Sequence, residues 1–252
     1  MKGKMLYVIV FVVILVASLI ANVPAAWVYS YISKPSGIEA QGISGTIWNG
    51  SIQQLTAERQ SLGSIYWVFQ PSQIFTGKAE YNVRFGRGSG IKLNGKGYVG
   101  IGFSGVYARN TLVSLPINEV VKWVPMHVPV ELKGQLELSL NNLHYAQPWC
   151  QQAKGNVAWT GAQIISPIGQ LEPGPVIASL TCNNQIIDLD GKQDNEQVSS
   201  EFKVNLNTLS RYKLEAWFKP GSQFPSSMSK QLNWLGNPDT QGRYPFTYAG
   251  KL

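Results

Sequence analysis

The feature that most limits what this chain can fold into is a period of two in its apolar residues. Leu132, Leu136, Leu138 and Leu140 share one parity, while Glu131, Lys133, Gln135, Glu137, Ser139 and Asn141 take the other. Successive side chains of a strand point to opposite faces, so this segment reads as a strand with one dry face and one wet face. The same alternation sets Tyr81, Val83 and Phe85 against Glu80, Asn82 and Arg84, and Phe202, Val204 and Leu206 against Glu201, Lys203 and Asn205. Leu214, Ala216 and Phe218 alternate in turn with Lys213 and Glu215. Further strands are expected at 65–69, 98–103, 156–159 and 185–190, separated by Gly, Asn, Ser and Pro clusters with turn chemistry. One-faced strands belong to an antiparallel sheet. It can bury its apolar side as a sandwich of two sheets, or as one long sheet that curls around itself.

Helical signals in the body are few. Residues 115–123 place Pro116 in a first turn and Ile117, Val120 and Val121 at helical spacing. Near the end, Ser226 or Ser227 can cap a helix with Met228, Leu232 and Leu235 on one stripe and Gly236 and Pro238 as stop signals. Residues 70–75 add one helical turn. The expected fold class is mainly β: an N-terminal transmembrane helix, then a large, mostly antiparallel curled sheet or sandwich with a few short helices.

After Lys2 and Lys4 the chain carries no charged residue until Lys34. At about 1.5 Å per residue, the part from Met5 to Val23 approaches the thickness of a bilayer's hydrocarbon core. Lys2 and Lys4 on the short side keep the N-terminus cytoplasmic by the positive-inside rule, and Trp27, Tyr29 and Tyr31 stand where an aromatic belt meets the far interface. The expected organisation is a cytoplasmic tip at 1–4, a transmembrane anchor at 5–25 and a periplasmic β domain at 35–252. A cleaved signal peptide, with Val23 and Ala25 at the cleavage site, is the competing reading, but the apolar run exceeds the usual signal-peptide core. Both readings place the body beyond the inner membrane of a bacterium. In that compartment Cys150 and Cys182, the only cysteines, are expected to form a disulfide rather than remain two buried thiols.

The chemistry of catalysis is thinly represented. With two His, two Cys and four Asp, the chain has few acid, base or metal-binding side chains, so no catalytic residue, metal site or cofactor is expected. The net charge is +7, but the 21 Lys and Arg never form a run of four, so no nucleic-acid partner is implied. Two overlapping G-x-G-x-x-G stretches begin at Gly95 and Gly100, within strand-like alternation, where close strand packing explains them better than a nucleotide loop. The acidic stretch Asp188, Asp190, Gly191, Asp194 lacks the remaining ligands of a calcium loop and reads as a turn after a strand. His127 and His144 are isolated. Trp217 shares the parity of Lys213 and Glu215, which puts it on the wet face.

The body opens with Gly42, Gly45, Thr46, Trp48 and Gly50, followed by Tyr66, Trp67, Pro71, Ile74, Phe75, Gly77 and Lys78. Next in order come Trp149 with Cys150, Asn156 to Trp159, Pro167 to Gly169, Leu180 to Cys182, Leu232 to Gly236, Gly242 and the closing Gly250, Lys251, Leu252. This ordered set resembles the type II secretion system protein N family along essentially the whole chain. The resemblance implies a non-catalytic inner-membrane subunit of the machine that exports folded periplasmic proteins across the outer membrane. Its partners would be other secretion subunits at the inner membrane or in the periplasm, and the lipid bilayer. The strand patterning is also similar to that of the AsmA-like envelope proteins, whose curled sheets form apolar grooves; this implies, as an alternative, lipid or an apolar segment held in such a groove.

A Cys150–Cys182 bridge has a direct consequence. In the chain-entropy model it contributes roughly 3 to 4 kcal/mol, and alkylation of the denatured, unreduced protein followed by mass analysis is expected to find no modified cysteine. Two alkylated thiols would show the bridge absent.

Overall fold

Period-two alternation is realised as a single antiparallel sheet. The computed structural model describes residues 2–31, 37–122 and 129–251, with side chains from Tyr7 onward. Trp123 and His127 lie outside the described residues, as do the side chains of Lys2 and Lys4. Two helices come first, α1 (Lys2–Ala21) and α2 (Ala25–Tyr31). The sheet then begins with β1 (Ile38–Gly45), β2 (Asn49–Ala57), β3 (Gln60–Phe69), β4 (Ala79–Arg87), β5 (Asn94–Gly102) and β6 (Gly105–Pro116). After the short α3 (Ile117–Val121) come β7 (Glu131–His144), β8 (Gln152–Ser166) and β9 (Gly169–Leu171). It closes with β10 (Val176–Asn183), β11 (Ile186–Asp194), β12 (Val198–Leu206), β13 (Arg211–Pro220), α4 (Ser226–Ser229) and β14 (Tyr244–Lys251). Neighbours in sequence are neighbours in space, apart from β9, which pairs only with β8. Among the described residues there is no second layer of strands, so the sheet is no sandwich. β1 and β14 are edges of an open sheet.

Register explains why one layer holds. Starting at Ile43, directly opposed residues run Ile52, Ile65, Phe85, Gly95 and Val113 across the first half. The same row continues through Leu138, Val157, Ala178, Gly191, Phe202, Ala216 and Phe246. One unbroken apolar row thus crosses every strand of the main path, while the next row on the other face, polar but for Leu112, runs through Tyr66, Arg84, Lys96, Leu112, Ser139, Asn156, Ser179, Asp190, Lys203 and Glu215. Cross-strand pairs of this kind are the unit of sheet stability. The two glycines in the apolar row are seats for phenyl rings: a Cβ on Gly191 would lie 2.1 Å from Phe202, and one on Gly95 would lie 2.2 Å from Phe85.

Bulges keep a second apolar row on the same face. Ala108 and Val113 are an odd number of residues apart, as are Leu143 and Leu138, so a regular strand would send each pair to opposite faces. An extra residue in β6, where Asn110 takes φ 45°, and another in β7 between Leu140 and Asn142 restore the parity. Leu143 consequently joins Ala153, Cys182 and Ile187. Cys150 and Cys182 are bridged there, 1–2% exposed, with Trp149 and Leu180 packed around them.

Several expectations need correction. The segment 115–123 yields only α3, because Pro116 is extended (φ −63°, ψ 138°) and Leu115 stays paired with Leu136. The 226–235 segment breaks into α4 and a 3-10 turn, Leu232–Leu235; Pro225, without a capping side chain, precedes it in place of a serine cap. The acidic stretch around Gly191 is no turn but the middle of β11, with Gly191 covered by Phe202. Trp217 is half-buried rather than exposed, with the Arg243 guanidinium 5.2 Å from its ring. Among the described residues no helix is long and apolar enough to cross a membrane. Residues 7–21, where the side chains of α1 are described, rise about 22 Å against a hydrocarbon core of about 30 Å.

The phenyl seat at Gly191 predicts a specific coupling. Gly191→Val forces Phe202 from its place and is expected to cost about 1–3 kcal/mol, while adding Phe202→Ala to it should recover part of that loss. Denaturant midpoints of the two single variants and the double variant check this; strictly additive losses would refute it.

Candidate functional site

The end of the sheet at which the N-terminal segment arrives is built around the glycine and tryptophan residues that open the body. Gly45 takes φ +82°, where a Cβ would meet the Asn49 carbonyl at 2.4 Å, so glycine is required to turn β1 into β2. Inside the turn, the Thr46 hydroxyl accepts from the backbone N–H groups of Trp48 (3.3 Å) and Asn49 (3.2 Å). The turn then grips α1. The Trp48 indole N–H donates to the Ile20 carbonyl at 2.8 Å, one of the carbonyls that a helix C-terminus leaves unpaired. Ile47 N–H donates to the Val23 carbonyl at 3.1 Å, and Pro24 forms a β-bridge with Thr46.

Trp67 supports this clasp from the neighbouring strand. Its indole N–H is shared between the Thr46 and Ile47 carbonyls, both at 3.2 Å. A Cβ on Gly50 would lie 2.4 Å from the Trp67 ring, so the glycine makes room for the indole. Trp48 packs edge-on against Phe69 at 4.9 Å, and Phe69 against Tyr81 at 5.2 Å. The structure therefore brings Gly45, Thr46, Trp48, Gly50 and Trp67 into one assembly. Pro71 stands just beyond Phe69 at the start of the 3-10 turn Pro71–Thr76. In α2, Tyr29 is turned onto β1, its hydroxyl accepting from Ala40 N–H at 3.2 Å. Trp27 and Tyr31 are 59% and 75% exposed and lie edge to face.

Sequence alternation missed the strongest electrostatic feature at this end. Glu80 falls on the wet parity, yet it is 0% exposed. Arg109 grips its carboxylate with two N–H groups, each at 2.7 Å, and the Tyr107 hydroxyl donates to it at 2.9 Å. Gly100 opposes Tyr107 and leaves space for the phenol, while the Arg109 guanidinium stacks 4.3 Å over the Tyr98 ring. The hydrogen bond from Arg109 pulls the Glu80 pKa below its ordinary value, against the opposing effect of burial. Burial, and next the hydrogen bond to Glu80, push Tyr107 up to about 12. The sequence carried no signal of it, because Tyr107 and Arg109 lie on β6, a strand that alternation does not mark.

At the other end, β7 to β10 and β12 to β14 line an apolar cleft of about 750 Å³. Its floor includes Val157, Ala178, Phe202, Leu214 and Ala216, and Phe224, Met228 and Leu232 from the β13–β14 connection form one wall. Among the described residues no group of three His, Cys, Asp or Glu side chains is placed to hold a metal ion. His144 lies beside Tyr107, ring centres 6.2 Å apart. The glycine-rich 95–105 segment is the β5–β6 hairpin, with Gly95 under Phe85, Gly97 under Thr111 and Gly100 under Tyr107. What the arrangement offers is binding surface: an apolar cleft, the sheet edges at β14 and at β1, the latter partly covered by α2, and a clasped helix.

A family model described as type II secretion system (T2SS), protein N, matches residues 36–247. The type II secretion system protein N of Vibrio cholerae is 43% identical, with the whole of each chain aligned. That of Aeromonas hydrophila is 32% identical, again over the whole of both chains. That of Klebsiella pneumoniae is 26% identical over 82% of this chain and 81% of its own. No solved structure matches.

The Glu80 cluster makes stability depend on acid pH with a definite sign. A carboxylate whose folded pKa is depressed stabilises above its unfolded value, near 4.5 here, and loses that contribution as pH falls through the lower folded value. Glu80→Gln is therefore expected to weaken the fold at pH 7 by about 1–3 kcal/mol and to flatten the loss of stability below pH 4.5. Arg109→Met leaves a buried carboxylate without its cation and should cost about 3 kcal/mol or more. Denaturation curves at a series of pH values read both effects; parallel curves for wild type and Glu80→Gln would refute the assignment.

Proposed function

The chain belongs to the type II secretion system protein N family, and from that premise we propose that it is a non-catalytic, single-pass inner-membrane subunit supporting export of folded periplasmic proteins. The observation that carries this reading is the match along the whole chain to relatives of that name. Residues 1–4 are the cytoplasmic tip, 5–25 the transmembrane anchor and 35–252 the periplasmic β domain. Supporting the anchor are the 20-residue helix α1 and its apolar side chains, with Tyr7, Phe11 and Leu19 64–76% exposed. Lys2 and Lys4 stay on the cytoplasmic side, and Trp27 and Tyr31 sit at the periplasmic interface.

The mechanism is recruitment. The anchor holds the protein at the inner membrane, and the clasp of Trp48 and Trp67 ties the sheet to the end of α1. The sheet edges at β1 and β14 and the apolar cleft receive other secretion subunits by strand pairing or apolar contact. No side chain performs chemistry.

Deleting the gene from its source bacterium is expected to make an exported enzyme accumulate in the periplasm, and a plasmid copy should restore its release. Unchanged secretion would count against this reading and favour the cleft as a holder of lipid chains.

A further inference from the structure

The two most exposed large apolar side chains among the described residues sit on neighbouring turns. Phe103, between β5 and β6, is 97% exposed, and Phe75, in the 3-10 turn between β3 and β4, is 94% exposed. Behind them Ile74 and Ile101 are each 56% exposed. Three of them meet: the Phe103 ring occupies the space a Cβ on Gly77 would need, and Ile74, Ile101 and Phe103 line a common hollow of about 430 Å³ with Lys78, while Phe75 follows Ile74 in the same turn. Single exposed apolar residues are ordinary, but four grouped on two projecting turns mark a contact surface.

Topology puts this patch beside the entry of α1. Antiparallel strands alternate in direction, so the β1–β2, β3–β4 and β5–β6 turns lie at one end of the sheet. Trp48, which holds the Ile20 carbonyl, touches Phe69, and Phe69 leads directly into the turn that carries Ile74 and Phe75. Residues 70–78 and 99–106 contain no carboxylate and one cation, Lys78. Glu80 nearby is fully buried and neutralised by Arg109. The turns at the opposite end carry both signs of charge, Glu58 and Arg59 between β2 and β3, Lys92 between β4 and β5 and Glu196 between β11 and β12.

We propose that Phe75 and Phe103, backed by Ile74 and Ile101, are a second membrane contact that dips into the interfacial layer of an anionic bilayer beside the anchor. This rests on the reading of α1 as a membrane span. Projecting apolar tips suit a deformable interface, where Phe side chains bury apolar area at the headgroup boundary, and the carboxylate-free rim with Lys78 is compatible with anionic headgroups. Two contacts, α1 and the tips, set the tilt of the sheet over the membrane, which one helix alone leaves free.

The test uses the full chain, whose two native cysteines are joined, in vesicles of phosphatidylethanolamine and phosphatidylglycerol. A nitroxide label is placed through Phe75→Cys, Phe103→Cys, Val13→Cys or Arg59→Cys, the last in the β2–β3 turn at the far end. Collision with oxygen, relative to a water-soluble nickel chelate, should be several-fold higher at positions 75 and 103 than at 59, with 13 highest. Labels at 75 and 103 as wet as 59, with 13 in hydrocarbon, would overturn the tip contact, leave the anchor standing and assign the patch to a protein partner. Labels at 13, 75 and 103 all in water would overturn both readings.

Discussion

Everything in this molecule depends on the pairing of each strand with its sequence neighbour along one apolar row. A sheet in a layered protein hides its apolar face beneath another layer; here the described residues form a single sheet, and among them Glu80 and Cys182 are the largest side chains that are fully buried. Cohesion is therefore distributed rather than central. Each strand relies on its two neighbours, and rings such as Phe85 and Phe202 lie over opposing glycines to cover the backbone. Such a face is dry enough to hold the sheet together and remains accessible to a ligand or partner.

The strongest local constraints gather at one end. The Trp48–Ile20 clasp, the Glu80–Arg109–Tyr107 cluster and the Cys150–Cys182 bridge all lie near the turns on the α1 side of the sheet. The apolar cleft opens toward the opposite end, where short helical pieces and the β13–β14 connection wall it. The end at which α1 meets the sheet is cross-linked, and the opposite end is built from apolar contacts.

The buried carboxylate at the α1 end is matched rather than merely tolerated. Glu80 sits on a strand whose parity assigns it to water, and its carboxylate stays charged because Arg109 and Tyr107 supply three donors. Gly100 matters here as an absence, since the missing side chain is the space that Tyr107 fills. Adjacent-strand pairings of this sort are invisible in a single sequence, where residues 80 and 109 are simply distant charges.

Much of the architecture was legible because it is local. Alternation at residues 131–141, 201–206 and 213–218 determined strands with one dry face, and the ordered glycine, tryptophan and cysteine motifs determined the family. Strands β1, β2, β6, β9, β10 and β14 escaped, with glycine, proline and bulges interrupting the alternation of β1, β6 and β14, and the acidic stretch around Gly191 resembled a turn until its pairing with Phe202 was in place. The sequence by itself thus determined face, class and kinship, since side-chain parity and motif order are properties of neighbouring residues. Only the tertiary structure decided that the sheet stays single and open, that Trp48 clasps α1 and that Glu80 is buried, since these depend on register between segments that the chain brings together only by folding.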